Sequence, residues 1–262
     1  MAEITAATVK ALRDETGQGM MECKKALQEA DGDVQAARDL LRKKGLVKAE
    51  KRAERTTGEG RVAIKVLDGA AVMIEAKCET DFCARNDEFR AMVDKLLELA
   101  SAAPAGEIDP TEEMSQAVQA TLAVIGENMS YSRGIRIEAP RIGTYLHHNN
   151  KVGVIVGVDG EIDEETLTGL CMHIAFTNPM GIAPEDIPAE IVEKEKQFAT
   201  QEAIDSGKPA EIAEKIVTGK MRKFLAERAL VEQDYIRDDK KKVKEILGAA
   251  TVTAFARFSV TG

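Results

Sequence analysis

The sequence predicts an α+β protein, and three observations carry that expectation. Residues 1–45 show only helical periodicity. From Gly60 onward the order hairpin, helix, helix, strand occurs twice. The second occurrence is interrupted by two charged helical segments. The expected organisation is an N-terminal three-helix module with a basic linker (1–55) and a first core subdomain (56–140). A second core subdomain (141–184 with 229–262) then encloses an inserted antiparallel helical hairpin (185–228). Each core subdomain is read as a small antiparallel sheet covered by helices, and the two are expected to lie side by side.

In the N-terminal module Thr5 is a suitable N-cap, with Ile4 and Val9 spaced as a hydrophobic staple. Val9 and Leu12 face inward until Thr16-Gly17-Gln18-Gly19 breaks the helix. Met20, Cys23, Ala26, Leu27 and Ala30 recur at helical spacing. Asp31-Gly32-Asp33 stops that helix and caps the next, whose stripe is Val34, Ala37 and Leu41, and Gly45 is expected to end it. So small a bundle suits recognition better than catalysis. In residues 42–55, Arg42, Lys43, Lys44, Lys48, Lys51, Arg52 and Arg55 outweigh Glu50 and Glu54. That run reads either as a solvated tether or as an RNA contact.

Arg61–Leu67 alternates, turns at Asp68-Gly69 and returns as Ala71–Cys78, a β-hairpin. Phe89, Met92, Val93, Leu96, Leu97 and Ala100 form the next helical stripe, and Met114, Val118, Leu122 and Ile125 another. A strand over Ser132–Glu138 closes the unit. The order returns with strands over 142–148 and 151–158 and a helix carrying Leu167, Leu170, Cys171, Ile174 and Ala175. A short helix near Lys240–Leu247 and a strand over Thr251–Val260 complete it. The insert holds two helices joined by Ser206-Gly207-Lys208-Pro209, a stop signal followed by a start signal. Ile191, Phe198 and Ile204 lie along one, and Ile212, Ile216, Val217, Met221 and Phe224 along the other. Stripes this narrow are expected to pair as an αα-hairpin, which either projects toward a partner or folds back as packing.

Composition removes several functions. With 36 Lys and Arg against 45 Asp and Glu, the net charge is −9, which argues against a general nucleic-acid coat and leaves no direct DNA partner expected. Trp is absent and aromatic residues are 4%, so bases have little to stack on. No apolar run is long enough to span a membrane, and the N-terminus does not resemble a secretory signal, so a cytoplasmic address is expected. The four cysteines (Cys23, Cys78, Cys83 and Cys171) are too scattered for a disulfide scaffold. Cys78 and Cys83 bracket a polar turn without the two-residue spacing of zinc or redox sites, and buried free thiols are expected. Neither a P-loop nor a Gly-x-Gly-x-x-Gly opening a helix is present: Gly219-Lys220 is followed by Met221, and Gly207-Lys208 by Pro209. His147 and His148, placed on a strand end, are expected to point to opposite faces and so not to share a metal. His173 reads as a packing or surface residue. No nucleophile has an evident base and orienting acid. The expectation is a binding protein that is not an enzyme and holds no cofactor.

One segment stands out: Cys78-Glu79-Thr80-Asp81-Phe82-Cys83-Ala84-Arg85-Asn86-Asp87. Thr80-Asp81 reads as a turn opening the helix that carries Phe89, with Phe82 near its N-terminus. Two readings stand: a staple into the protein's own core, or a wedge presented on a rigid elbow to a partner's pocket.

The chain resembles the bacterial elongation factor Ts family. The match is carried by Leu12-Arg13, by Thr16–Leu27 (TGQGMMECKKAL), by Thr80-Asp81-Phe82-Cys83, and by Ser206-Gly207-Lys208-Pro209 with Glu211-Ile212-Ala213-Glu214-Lys215. The resemblance implies a guanine-nucleotide exchange factor in translation elongation that binds elongation factor Tu and promotes GDP release by displacing Mg²⁺. It implies a ubiquitin-associated-type N-terminal domain, with Arg13, Met20, Met21 and Lys24 as partner contacts. Thr80, Asp81, Phe82 and Cys83 become the Mg²⁺-dislocating motif, and His147 a further contact. The second core unit would grip another domain of the partner, and the helical hairpin is implied as a coiled-coil or dimerisation element. Two departures stand out. The motif usually ends in Val and here ends in Cys83, which makes redox sensitivity conceivable. Many bacterial members also continue into a C-terminal helical module beyond the position of Gly262. The alternative from another class is an RNA- or ribosome-associated protein using the basic linker and the hairpin; a metabolic enzyme is the third.

Overall fold

The computed structural model describes residues 4–52, 55–207 and 209–261, with 45–52 described by backbone alone. The N-terminal module consists of α1 (Ala6–Thr16), α2 (Met20–Glu29) and α3 (Val34–Arg52). Thr5 caps α1 by accepting the Thr8 N–H at 3.2 Å, and Asp33 accepts the Ala36 N–H at 3.0 Å. Val9, Leu12, Cys23, Ala26, Leu27, Ala37 and Leu41 make its small core. Two expectations are corrected here. Met20 does not join that core but stands 44% exposed at the first turn of α2. Gly45 does not end α3, whose helical backbone runs through it to Arg52. A mid-helix glycine costs only about 1 kcal/mol, and the Leu, Lys, Ala and Glu that follow are good helix formers. Part of the expected linker is therefore helix; residues 53–54 and the side chains of Lys48, Lys51 and Arg52 lie outside what is described.

The turn after α1 seats this module on the rest of the protein. Gly17 holds φ +67° and returns its N–H to Arg13 O at 2.8 Å, a left-handed stop. A Cβ at this position would stand 2.7 Å from Val124 Cγ2, so only glycine lets the turn approach that closely. Next to it, Gln18 Nε2 donates to Ala123 O at 2.9 Å.

The first core unit runs β1 (Glu59–Leu67), β2 (Ala70–Cys78), α4 (Asp81–Arg85), α5 (Asp87–Ala100), β3 (Gly106–Glu107), α6 (Glu112–Ile125) and β4 (Met129–Glu138). Its antiparallel sheet has the order β1-β2-β4-β3, with Val66 opposite Ala71 and Ala71 opposite Ile137. The second unit runs β5 (Arg141–Leu146), β6 (Val152–Asp159), α7 (Glu164–Thr177), α8 (Ala189–Asp205), α9 (Ala210–Arg228), β7 (Asp234–Tyr235), β8 (Asp238–Lys242), α10 (Val243–Leu247) and β9 (Thr251–Ser259). Its sheet has the order β5-β6-β9, and β7 with β8 forms a separate ribbon. Lys240–Lys242, expected as helix, belong to that ribbon.

The two units adjoin through their sheets, which stack face to face. Val62, Ala71, Met73, Ile137, Ile155, Ala256 and Phe258 form the layer between them. A Cβ on Gly153 would meet Val62 Cγ1 at 2.6 Å, so the sheets close tightly there. Phe89, Leu96 and Met114 cover the outer face of the first sheet, and Leu167, Leu170, Ile174 and Val243 that of the second. The result is helix, sheet, sheet, helix in layers. Because both faces of β2 are covered, its apolar run is nearly continuous.

The α8–α9 hairpin is pinned at its base, where Met180 N–H donates to Arg228 O at 2.8 Å and Leu230 N–H to Gly181 O at 2.9 Å. Its seam differs from the expected one in part. Ala199 and Ala203 are the buried residues of α8, while Phe198 (62% exposed), Ile204 and Ile212 face solvent. Ile191 on α8 and Ile216, Val217, Met221 and Phe224 on α9 are half-buried, so that part of the expected pairing stands. Lys208, in the connecting turn, lies outside the described residues.

Candidate functional site

The site grows from the end of β2. Cys78 is the last residue of that strand, and the chain then turns through Glu79 and Thr80 into α4, a helix of a single turn. Thr80 Oγ1 accepts the Cys83 N–H at 3.1 Å and donates to the Glu127 carboxylate at 3.0 Å. The threonine thereby caps α4 and ties it to the loop after α6. Glu79 Oε1 accepts the Asn128 N–H at 2.5 Å, and Arg55 Nη1 lies 3.4 Å away, so the same loop is held twice. Asp81 pairs with Arg85 at 3.0 Å across the single turn.

On this elbow the inward face carries Cys83 and Ala84, both buried in the first core. The outward face carries Phe82, which is 79% exposed. The staple reading of Phe82 is therefore overturned: the ring does not enter its own core. The expected continuity with the Phe89 helix is corrected too. Asn86 Oδ1 accepts the Glu88 N–H at 2.8 Å and starts α5 afresh, so Thr80 caps only α4.

The other candidates lie on separate elements. Arg13 is on α1; Met20, Met21 and Lys24 are on the first turns of α2, with Met21 64% exposed. His147 follows β5, where its Nδ1 lies 2.7 Å from the Tyr145 hydroxyl. Its ring centroid is 4.2 Å from that of His148, so the two rings do not point apart as expected. The chain has left the strand at Leu146, and strand alternation no longer governs them. Among the described residues, no group of three or more His, Cys, Asp or Glu is placed to hold a metal ion. No helix there is long and apolar enough to cross a membrane.

Glu75 escaped the sequence reading, and His173 takes the packing alternative of the two expected for it. Glu75, 1% exposed on β2, is held by Arg133 Nε at 2.9 Å and Nη2 at 2.7 Å, and that guanidinium lies 4.3 Å over the Phe258 ring. Alternation hinted at it, since Glu75 falls on the same face as Ala71 and Met73. His173 is fully buried, its Nε2 2.8 Å from Gln233 Oε1 and its Nδ1 accepting the Ile236 N–H at 3.2 Å. Burial lowers its pKa from the usual histidine value, with the Gln233 bond opposing. Its partners lie some sixty residues away in sequence, so nothing local announced them.

A mixed helix-and-sheet body bearing a separate helical module, a base-pinned helical hairpin and an exposed aromatic on a braced elbow defines a multi-module protein-binding factor. The family model described as "Elongation factor TS" matches residues 79–262. The chain is 45% identical to elongation factor Ts of Photobacterium profundum over 265 residues, covering 99% of this chain and 92% of that protein. It is 43% identical over 259 residues to that of Shewanella frigidimarina, covering 98% and 90%. With that of Vibrio parahaemolyticus it shares 43% over 262 residues, covering 99% and 92%. The chain belongs to the elongation factor Ts family: it is a nucleotide-exchange factor for elongation factor Tu in translation elongation, and not an enzyme.

Proposed function

We propose that the Thr80–Cys83 elbow drives exchange by displacing Mg²⁺ from the nucleotide site of elongation factor Tu, with Phe82 as the wedge. The exposure of Phe82 beside a buried Cys83, on a turn capped by Thr80 and braced by Glu127, is the observation that supports this. A ring held out on a fixed base loses little freedom on insertion, so more of its burial free energy, about 1.5–3 kcal/mol, is available to distort the partner. Asp81, oriented by Arg85, adds negative charge next to the ring and perturbs the cation electrostatically without acting as a ligand.

In this reading residues 1–55 dock through Arg13, Met20, Met21 and Lys24 on the partner's nucleotide domain. The unit 56–140 carries the wedge. The unit 141–184 with 229–262, with His147 at its edge, holds a further domain. The hairpin 185–228 is an accessory contact to the partner or to a second copy. Exchange follows from linkage: a factor that binds the nucleotide-free partner better than the GDP-bound one weakens GDP by the same ratio, and excess GDP or GTP expels it. The test is to mix the chain with elongation factor Tu carrying fluorescent GDP and time the signal loss. Acceleration that saturates with the chain and reverses with excess nucleotide is expected; release at the spontaneous rate overturns the reading.

A further inference from the structure

The sequence spacing of Cys78 and Cys83 matches no redox motif, yet the fold brings them together. One ends β2 and the other sits in the first turn of α4, both are buried free thiols in the same core cluster, and both are bonded to Thr80 between them. Thr80 lies between them: its carbonyl accepts the Cys78 thiol at 3.3 Å, and its hydroxyl accepts the Cys83 amide. We infer that Cys78 and Cys83 form a modification site for a hydroperoxide oxidant, and that their disulfide displaces the Phe82 elbow and slows exchange. The effect on exchange rests on the wedge reading above; formation of the disulfide does not.

The chemistry has a direction. The neighbouring Cys78 thiol lowers the Cys83 pKa against the opposing effects of burial and of the Glu127 and Glu79 carboxylates, whereas Cys78 is raised. Cys171, buried without such a neighbour, is pushed up to about 12. Cys83 is therefore the thiol that ionises first and attacks. Its sulfur bonds to one peroxide oxygen, the O–O bond breaks, and the departing alkoxide or hydroxide takes up a proton. The Cys78 sulfur then attacks the sulfenic acid, the S–O bond breaks and water leaves. Two thiols lose two electrons and two protons, and the peroxide is reduced to an alcohol (or water) and one water. Access requires only that α4, one turn long with Phe82 and Arg85 already in solvent, opens locally. Closing a covalent S–S bond draws the first turn of α4 toward β2, and Phe82 is the residue next to the anchor.

The experiment treats the reduced factor alone with hydrogen peroxide, removes the oxidant with catalase, and counts thiols after denaturation. The four thiols are expected to fall to two, with a peptide linking Cys78 to Cys83 that is two hydrogens lighter by mass. Mixed with GDP-loaded partner, the oxidised factor is expected to be slower by on the order of tenfold or more, the scale on which small misplacements act, and dithiothreitol is expected to restore it. Cys78→Ala, or Cys78→Ser should the alanine variant fold poorly, keeps its reduced-state exchange and is insensitive to peroxide. Four thiols surviving peroxide, a bridged factor that exchanges like the reduced one, or equal loss in the Cys78 variant each overturns the inference. If the reduced factor fails to accelerate release at all, the wedge reading falls, and the thiol count still decides whether the pair is oxidised.

Discussion

Replacing Phe82 by alanine separates the work of the ring from the stability of the fold, because the ring is 79% exposed in the free factor while its neighbours Cys83 and Ala84 are buried. Little packing is lost, and alanine is the better helix former, so stability is expected to stay within about 0.5 kcal/mol of wild type. In the complex the ring's burial is forfeited, about 1.5–3 kcal/mol. Were all of it spent on the path to GDP release, the rate would fall about 10- to 150-fold, at about 1.36 kcal/mol per decade. Stopped-flow release of fluorescent GDP from elongation factor Tu measures this, and calorimetric melting of the free factor supplies the control. Wild-type-like release by a folded variant refutes the wedge; a large drop in melting temperature refutes the claim that the ring stands clear of its own core.

Other expectations come from the same geometry. Thr80→Ala removes the cap on α4 and the bond to Glu127, so a loss of about 1–2 kcal/mol and faster hydrogen exchange at the Cys83 amide are expected by melting and mass spectrometry. Arg133→Ala strands the Glu75 carboxylate with only Lys77 at 3.5 Å, which is expected to cost about 3 kcal/mol in urea unfolding; the double variant Glu75→Met with Arg133→Met recovers much of it. His173 is buried between Gln233 and the Ile236 N–H, with the Tyr235 ring centroid 5.9 Å away, and its folded pKa lies below the unfolded one. The unfolded chain therefore binds a proton first as pH falls. Stability from this group is intact above about 6.5 and declines below it, by at most about 1.4 kcal/mol per pH unit until the folded pKa is reached. Denaturation midpoints from about pH 8 to 5 should lose this slope in His173→Gln.

How legible these features are depends on how local their causes are. The hairpins can be read from alternation around Asp68-Gly69 and Asn149-Asn150, and the helices from stripes such as Phe89, Met92, Val93 and Leu96, because local periodicity and burial agree there. Asn86 is hidden as a second cap because the segment from Thr80 to Asp87 contains four residues able to cap, and only the turn geometry shows that Thr80 and Asn86 are the two used. The β7–β8 ribbon is hidden because Asp238–Lys242 is all charged and carries no alternation. The alanine seam of α8 is easily misread because the large residues there, Phe198 and Ile204, look like the core and are not. At the elbow the residues are visible in the sequence and the outward direction of Phe82 is not, since it depends on Cys83 turning inward. The stacking of the sheets and the meeting of Cys78 with Cys83 are tertiary facts that no local pattern encodes.

The most direct test of the mechanism compares GDP release driven by wild type and by Phe82→Ala, each with Mg²⁺ present and with the metal chelated. If the ring acts by unseating the cation, its removal costs most when Mg²⁺ is bound, and the two factors converge once the metal is gone. An equal defect in both conditions would contradict that account.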